Sequence, residues 1–150
     1  MPRPTDQLDL TTDDASAVVD AMGRLAAAGK GWINIAPLVI GDDGYDVAPG
    51  GPEVMATWEA PHPRRRGPAT RVEIGIQHRS VGRAAPRLLA AGQERAPGWR
   101  VLQDHSRRGL VVAAPVDAEH ATVLAWLLRT AGHLAAEGVS GRWRAWIYPG

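Results

Sequence analysis

Residues 71–77, Arg71-Val72-Glu73-Ile74-Gly75-Ile76-Gln77, alternate polar and apolar side chains around a single glycine. A period of two marks a strand buried on one face only. The helices of this chain are therefore expected mainly on one face of a sheet, with the other face left polar. From residue 71 onward the pattern reads strand, helix, strand, strand, helix, strand. Together these features place the chain among α+β folds built on a single antiparallel sheet of five to six strands.

The remaining elements follow from periodicity and breakers. Residues 1–10 are polar and proline-containing and read as a loose tail. Asp13 and Asp14 precede a stripe of Val18, Val19, Met22, Leu25 and Ala26 at helical spacing, and Gly29 to Gly31 stop that helix. A strand is expected over Trp32 to Ile40, weakened by Pro37. Breakers from Gly41 to Pro52 bracket a long loop, with Gly41 to Asp46 read as a hairpin turn. Val54 to Glu59 reads as a strand and Pro61 to Pro68 as a basic loop. After residue 77 come a helix at Ala84 to Gly92, a strand at Trp99 to His105, a turn at Ser106 to Gly109 and an apolar, central strand at Leu110 to Ala114. The longest helix is expected over Ala118 to Glu137, closed by Gly138, and Arg142 to Tyr148 alternates again as the last strand.

Two architectures accommodate these elements. Residues 71–148 match the ferredoxin-like order β-α-β-β-α-β, the rest being an N-terminal extension. Residues 13–138 match the order α-β-β-β-α-β-β-α, which the last strand extends to α-β-β-β-α-β-β-α-β. That order resembles the secretion-chaperone fold and the YbjN-type proteins that share it. The resemblance implies dimerisation and partner binding. The two arrangements compete for the place beside strand 71–77, which goes to 142–148 in the first and to 53–59 in the second. Sequence-adjacent strands pair more often than not, which favours 53–59 and the sheet order 32–40, 53–59, 71–77, 108–114, 99–105. The last strand is antiparallel to both edges of that sheet, so its direction leaves the choice of edge open.

Composition narrows the function classes. The length of 150 residues reads as one domain, 1–150, large enough for a real core. A net charge of +1 argues against a general nucleic-acid binder, and Arg64-Arg65-Arg66 lacks the interleaved aromatics that would make it one. With 0 Cys there is neither a disulfide framework nor a thiolate metal site. The N-terminus lacks an apolar signal region and no apolar run reaches membrane-spanning length, so the expected location is the cytoplasm and no membrane partner is expected. With 0 Phe and 6 Trp, tryptophans must supply most large aromatic packing.

Two groups of residues stand out. Strands 71–77 and 99–105 run in one direction, so their ends bring His78, Arg79, Arg83, Asp104, His105, Arg107 and Arg108 to one edge, beside the start of the helix at Ala84. Arginines at a helix N-terminus suit a small anion such as phosphate or carboxylate. His78 and His105 are not expected to bind a metal. One strand separates theirs, which puts their backbones about 9.5 Å apart, and spacing places no third ligand. No catalytic set emerges: Asp104-His105-Ser106 are adjacent, whereas triad partners meet through the fold. Glu53, Glu59 and Glu73 read as exposed sheet-face charge, and no cofactor motif is present. The second group is on the last strand, where Trp143, Ala145 and Ile147 share one face and Arg144, Trp146 and Tyr148 the other. If the first set packs inward, the second is an exposed patch of the residue types enriched at interface hot spots. The favoured reading is a non-catalytic, chaperone-like interaction module that binds a protein partner or itself through an open sheet face. The alternative is a small-anion or small-ligand domain at the His78/His105/Arg108 edge.

Overall fold

The computed structural model describes residues 3–41, 44–47, 54–63, 65–78, 82–95, 98–135 and 140–150. Its strands are β1 (Asp6–Thr11), β2 (Trp32–Gly41), β3 (Gly44–Val47), β4 (Val54–Glu59), β5 (Arg71–His78), β6 (Arg100–His105), β7 (Gly109–Pro115) and β8 (Arg142–Tyr148). Its helices are α1 (Ser16–Ala28), α2 (Ala84–Ala90) and α3 (His120–Leu134). The fold is α+β, with one antiparallel sheet in the order β1-β8-β2-β4-β5-β7-β6; β3 pairs with β2 off this path.

The pairing of β2, β4, β5, β7 and β6 is the order expected from sequence adjacency. The ferredoxin-like alternative fails, because β5 lies between β4 and β7 and β8 lies between β1 and β2. Gly31 helps to seat β8 beside β2. It adopts φ +105°, and a Cβ there would stand 2.7 Å from the Tyr148 carbonyl oxygen, too close for any other residue.

The sheet is wider than the five to six strands expected, because residues read as a loose tail form β1. Leu10 is buried in the core and Leu8 packs against it, while Asp9 pairs with Arg144 of β8. Two leucines spaced by two, with polar residues between, carry a strand's period that the surrounding polar residues disguise. β2 and β3 form an antiparallel hairpin about Gly41 and Gly44, so part of the expected long loop, Gly44–Val47, is a strand and the turn is tighter than Gly41 to Asp46; the two residues between lie outside the described residues. Helix α2 stops at Ala90, short of the expected Gly92, which takes φ +72°. α3 begins after a turn in which the Ala118 N–H donates to the Pro115 carbonyl, and it ends at Leu134. The end expected near Gly138 falls outside the described residues.

One face of the sheet carries the core. Ile74 of β5 stands in one cross-strand row with Ile33 of β2, Trp58 of β4 and Val112 of β7, and these residues, with Val72 and Ile76, are all buried. Helix α3 crosses this face over β4 and β5, with α1 on the β1 side and α2 on the β6 side. Trp58, Trp99, Trp126 and Trp143 are buried in the core, where the absence of phenylalanine leaves them as the large aromatic filling. No described helix is long and apolar enough to cross a membrane.

Candidate functional site

Among the described residues, no helix covers the second face of the sheet, and the register assigns its surface residue by residue. One cross-strand row runs Gln7, Trp146, Asn34, Thr57, Gly75, Val111, Gln103. A neighbouring row runs Tyr148, Trp32, Glu59 and, one step beyond the Trp58–Ile74 pair, Glu73. Residues in such rows have Cβ atoms within about 5 Å of their neighbours, so each row is a contiguous strip.

The last strand presents its residues as the alternation required. Trp143, Ala145 and Ile147 are buried, and Arg144, Trp146 and Tyr148 lie half-buried on the open face. β8 is an internal strand, so these side chains belong to the face and not to an edge. Tyr148 stacks on Trp32, with ring centroids 5.0 Å apart and planes 9° from parallel. Arg144 grips Asp9 through Nε to Oδ1 at 2.8 Å and Nη2 to Oδ2 at 3.3 Å. The Arg144 hydrogen bond and the charges of Arg144 and Arg142 hold the Asp9 carboxyl below its ordinary value against the opposing effect of partial burial. That contribution is present above the ordinary value of 3.8 and is lost as pH falls through the lowered one. In the first row, the Thr57 hydroxyl donates to Asn34 Oδ1 at 2.8 Å.

The two halves of the open face differ in relief. The β8 and β2 side is bulky, with Trp146, Trp32 and Tyr148. On the β5 and β7 side the row is low at Gly75 and Val111, with Ala113 beside them, and Gly75 forms a hollow between the exposed Glu73 and Gln77. Gly75 stands mid-strand in the centre of the sheet without a positive φ, and a Cβ built there meets nothing within 4 Å. Neither backbone conformation nor internal packing requires glycine at this position. At the end of this face, Glu59, His62, Arg71 and Glu73 line a groove of about 470 Å³. Arg71 pairs with Glu73 at 3.0 Å, and His62 Nδ1 lies 3.9 Å from Glu59. Of the three carboxylates read as sheet-face charge, Glu59 and Glu73 share this face, and Glu53 lies outside the described residues.

The edge expected to hold an anion is built differently. Asp104 reaches the start of α2, where its carboxylate accepts the backbone N–H groups of Ala84 at 2.7 Å and Ala85 at 3.0 Å. The helix N-terminus is thus occupied by a side chain of the protein itself. His78 is buried on the core face, opposite Val54. His105 lies on the other face, where its Nδ1 accepts the N–H groups of Arg107 and Arg108 at 3.0 and 3.1 Å and closes the turn before β7. The two histidines therefore do not converge. Arg83, Arg107 and Arg108 are exposed, and Arg79 lies outside the described residues. Among the described residues no cluster of three or more histidine or acidic side chains forms that could hold a metal.

Two predictions follow from this edge. Asp104→Ala removes two charge-assisted cap bonds and is expected to cost about 1–2 kcal/mol in chemical denaturation, with Asp104→Asn costing less. Burial pulls the His78 pKa below the ordinary 6.5; Arg87 adds to this, and the nearby Asp104 opposes it. The unfolded chain then binds the proton more tightly than the folded one. The stability is complete above pH 6.5 and declines as pH falls from there through the lowered value. Melting curves between pH 7.5 and 5 are expected to show that decline, and a His78→Gln variant to flatten it.

Sequence reasoning missed Trp32, Gly75 and the β1 residues as parts of the open face. The signal for Trp32 was its place at the head of a strand with the same parity as Asn34. In comparisons with known proteins, no family model, no curated protein and no solved structure matches this chain.

Proposed function

We propose that the protein is a non-catalytic, chaperone-like interaction module that self-associates through its open sheet face. The observation that carries this reading is that one face holds both a bulky patch, Trp146 with Trp32 and Tyr148, and a hollow at Gly75. A two-fold axis parallel to the strands, between β2 and β4, places β8 of one copy over β5 of the other. Trp146 then falls on the partner's Gly75, and Trp32 and Tyr148 fall on the partner's Glu59 and Glu73. An indole over a glycine fills a hollow, and the indole N–H and phenol O–H are donors facing carboxylate acceptors.

The size is adequate. At ~4.8 Å per strand and ~3.3 Å per residue, the face measures roughly 30 Å by 20 Å, and stacked sheets interdigitate about 10 Å apart. With side-chain relief this approaches the ~800 Å² per partner of a standard interface. The element order supports the same reading. Leaving out β3, the elements from α1 to α3 follow α-β-β-β-α-β-β-α, the order of the secretion-chaperone and YbjN-type folds, for which dimerisation and partner binding are implied.

Light scattering coupled to size exclusion tests this directly. A mass twice that of one chain at micromolar concentration is expected, with Trp146→Ala shifting the population to monomer. A strict monomer at about 100 µM, well above the affinity of specific homodimers, removes the proposal.

A further inference from the structure

We infer that the opposite end of the sheet, the β6 edge, is a docking site for an acidic extended peptide segment, which adds to β6 as a further strand. This surface is separate from the open face. In the arrangement proposed above, the axis between β2 and β4 leaves β6 beyond the overlap and free.

Three observations converge there. First, β6 ends the strand order and pairs only with β7 among the described residues, so its outer backbone N–H and C=O groups, on either side of the bulge between Val101 and Gln103, form a template for another strand. Second, the helical layer stops short of this edge. Helix α2 is only 7 residues long, and between it and β6 lies an apolar groove of about 510 Å³ with Leu88, Trp99, Val101 and Trp126 in its lining. Leu89 at its rim is 78% exposed, and Val101 and Leu102 are 39% and 38% exposed. These are large apolar side chains that the chain leaves uncovered at one place. Third, the charge around the groove is one-sided. Arg95, Arg100, Arg107 and Arg108 are exposed along the strand and its flanking turns. Of the nearby acids, Asp104 is committed to the cap of α2, leaving Glu94.

The partner's chemistry follows from the period of a strand. Every second side chain of an added strand lies on the helix side, over the groove beside Val101, and must be apolar. The alternate side chains lie on the open side, beside Arg100, and are favoured when acidic. Pairing of β6 with β6 of a second copy brings arginines against arginines, so a separate acidic polypeptide is the occupant.

The probe is a fluorescein-labelled heptapeptide of alternating leucine and aspartate, followed by anisotropy against the full chain. Saturable binding is expected, weakening as salt rises, with the β6 backbone amides gaining protection from hydrogen exchange. Arg100→Glu or Leu89→Glu is expected to weaken it about tenfold or more, as charge reversal or loss of an apolar anchor does at an interface. Both side chains are exposed, so neither variant threatens the fold. The inference is overturned by equal binding of the peptide with lysine in place of aspartate, by no binding at about 1 mM, the weak end of specific affinity, or by binding that both variants leave unchanged. Growth of β6-dependent oligomers of the chain itself, in place of peptide capture, also overturns it, since the edge then takes a second copy. The Gly75→Arg variant must bind the peptide as the unaltered chain does, which separates failure at this edge from failure of the open-face interface.

Discussion

An arginine at Gly75 is expected to leave the chain folded and to split the proposed dimer. Glycine inside a strand costs roughly 0.5–1 kcal/mol relative to alanine through backbone entropy, and it offers no side chain to its cross-strand neighbours. In this fold nothing compensates within the monomer. The φ of Gly75 is not in the left-handed region, and a Cβ there enters open space. Substitution therefore keeps or raises the stability of the isolated chain. In the proposed dimer the same position would receive Trp146 of the partner subunit, and an arginine would put a charged side chain where the indole is to sit. The expected loss is about 3 kcal/mol of association, or roughly 100-fold in affinity, within the range of interface hot spots. Two measurements read the two effects separately. Sedimentation equilibrium gives the association constant. Thermal melts over a concentration series give a midpoint that rises with concentration for the unaltered chain, by mass action, and stays constant for the variant. A Gly75→Arg protein that is still dimeric shows that the open face is not the interface.

The second large effect belongs to the core. Trp58 is 1% exposed on the helix side of β4, and its ring meets the His120 imidazole of α3 edge to face at 5.8 Å. Truncation to alanine opens a cavity under α3 where sheet and helix meet, and is expected to cost about 3–5 kcal/mol. Against the 5–15 kcal/mol total stability of a typical domain, that loss brings the chain close to unfolding at growth temperature. Trp58→Phe is the informative companion. The buried Trp58 Nε1–H has no hydrogen-bond acceptor among the described residues. An unpaired buried donor carries a penalty of about 1–3 kcal/mol, so removing it offsets part of the volume lost with the smaller ring. The phenylalanine variant is therefore expected to lose less than half of what the alanine variant loses in urea denaturation. Equal losses show that the N–H is satisfied in solution.

The candidate sites were legible only in part. Arg144, Trp146 and Tyr148 were readable as one face of a strand, because the period of two is local and the two apolar sets differ in character. Trp32 became their neighbour through the β2–β8 pairing, a contact between residues more than a hundred positions apart. At the other end, strand direction correctly brought Asp104 to the start of α2. Charge alone then suggested an anion site, whereas the carboxylate itself takes the helix N–H groups. Direction also brought the ends carrying His78 and His105 to one edge, but the faces of those strands send them to opposite sides of the sheet. A bulge between Val101 and Gln103 shifts the register of β6, and no pattern of apolar residues announces it.

Local pattern determined the class of this fold. The alternation of 71–77, the helical stripe ended by Gly29, the adjacency of strands along the chain and the strand-helix-strand-strand order after residue 71 were sufficient for a one-faced antiparallel sheet and for the order of β2, β4, β5, β7 and β6 within it. Those signals lie within a few residues or between sequence neighbours, where loop closure is short and the pairing has few competitors. Tertiary structure alone decided the rest. β8 joined the β2 edge and not β6, and the polar N-terminal segment was recruited as β1, because Trp143, Ala145, Ile147 and Leu10 find their burial there and Gly31 admits the Tyr148 carbonyl. Direction permitted either edge for the last strand, so only the packing of side chains from distant parts of the chain could choose between them.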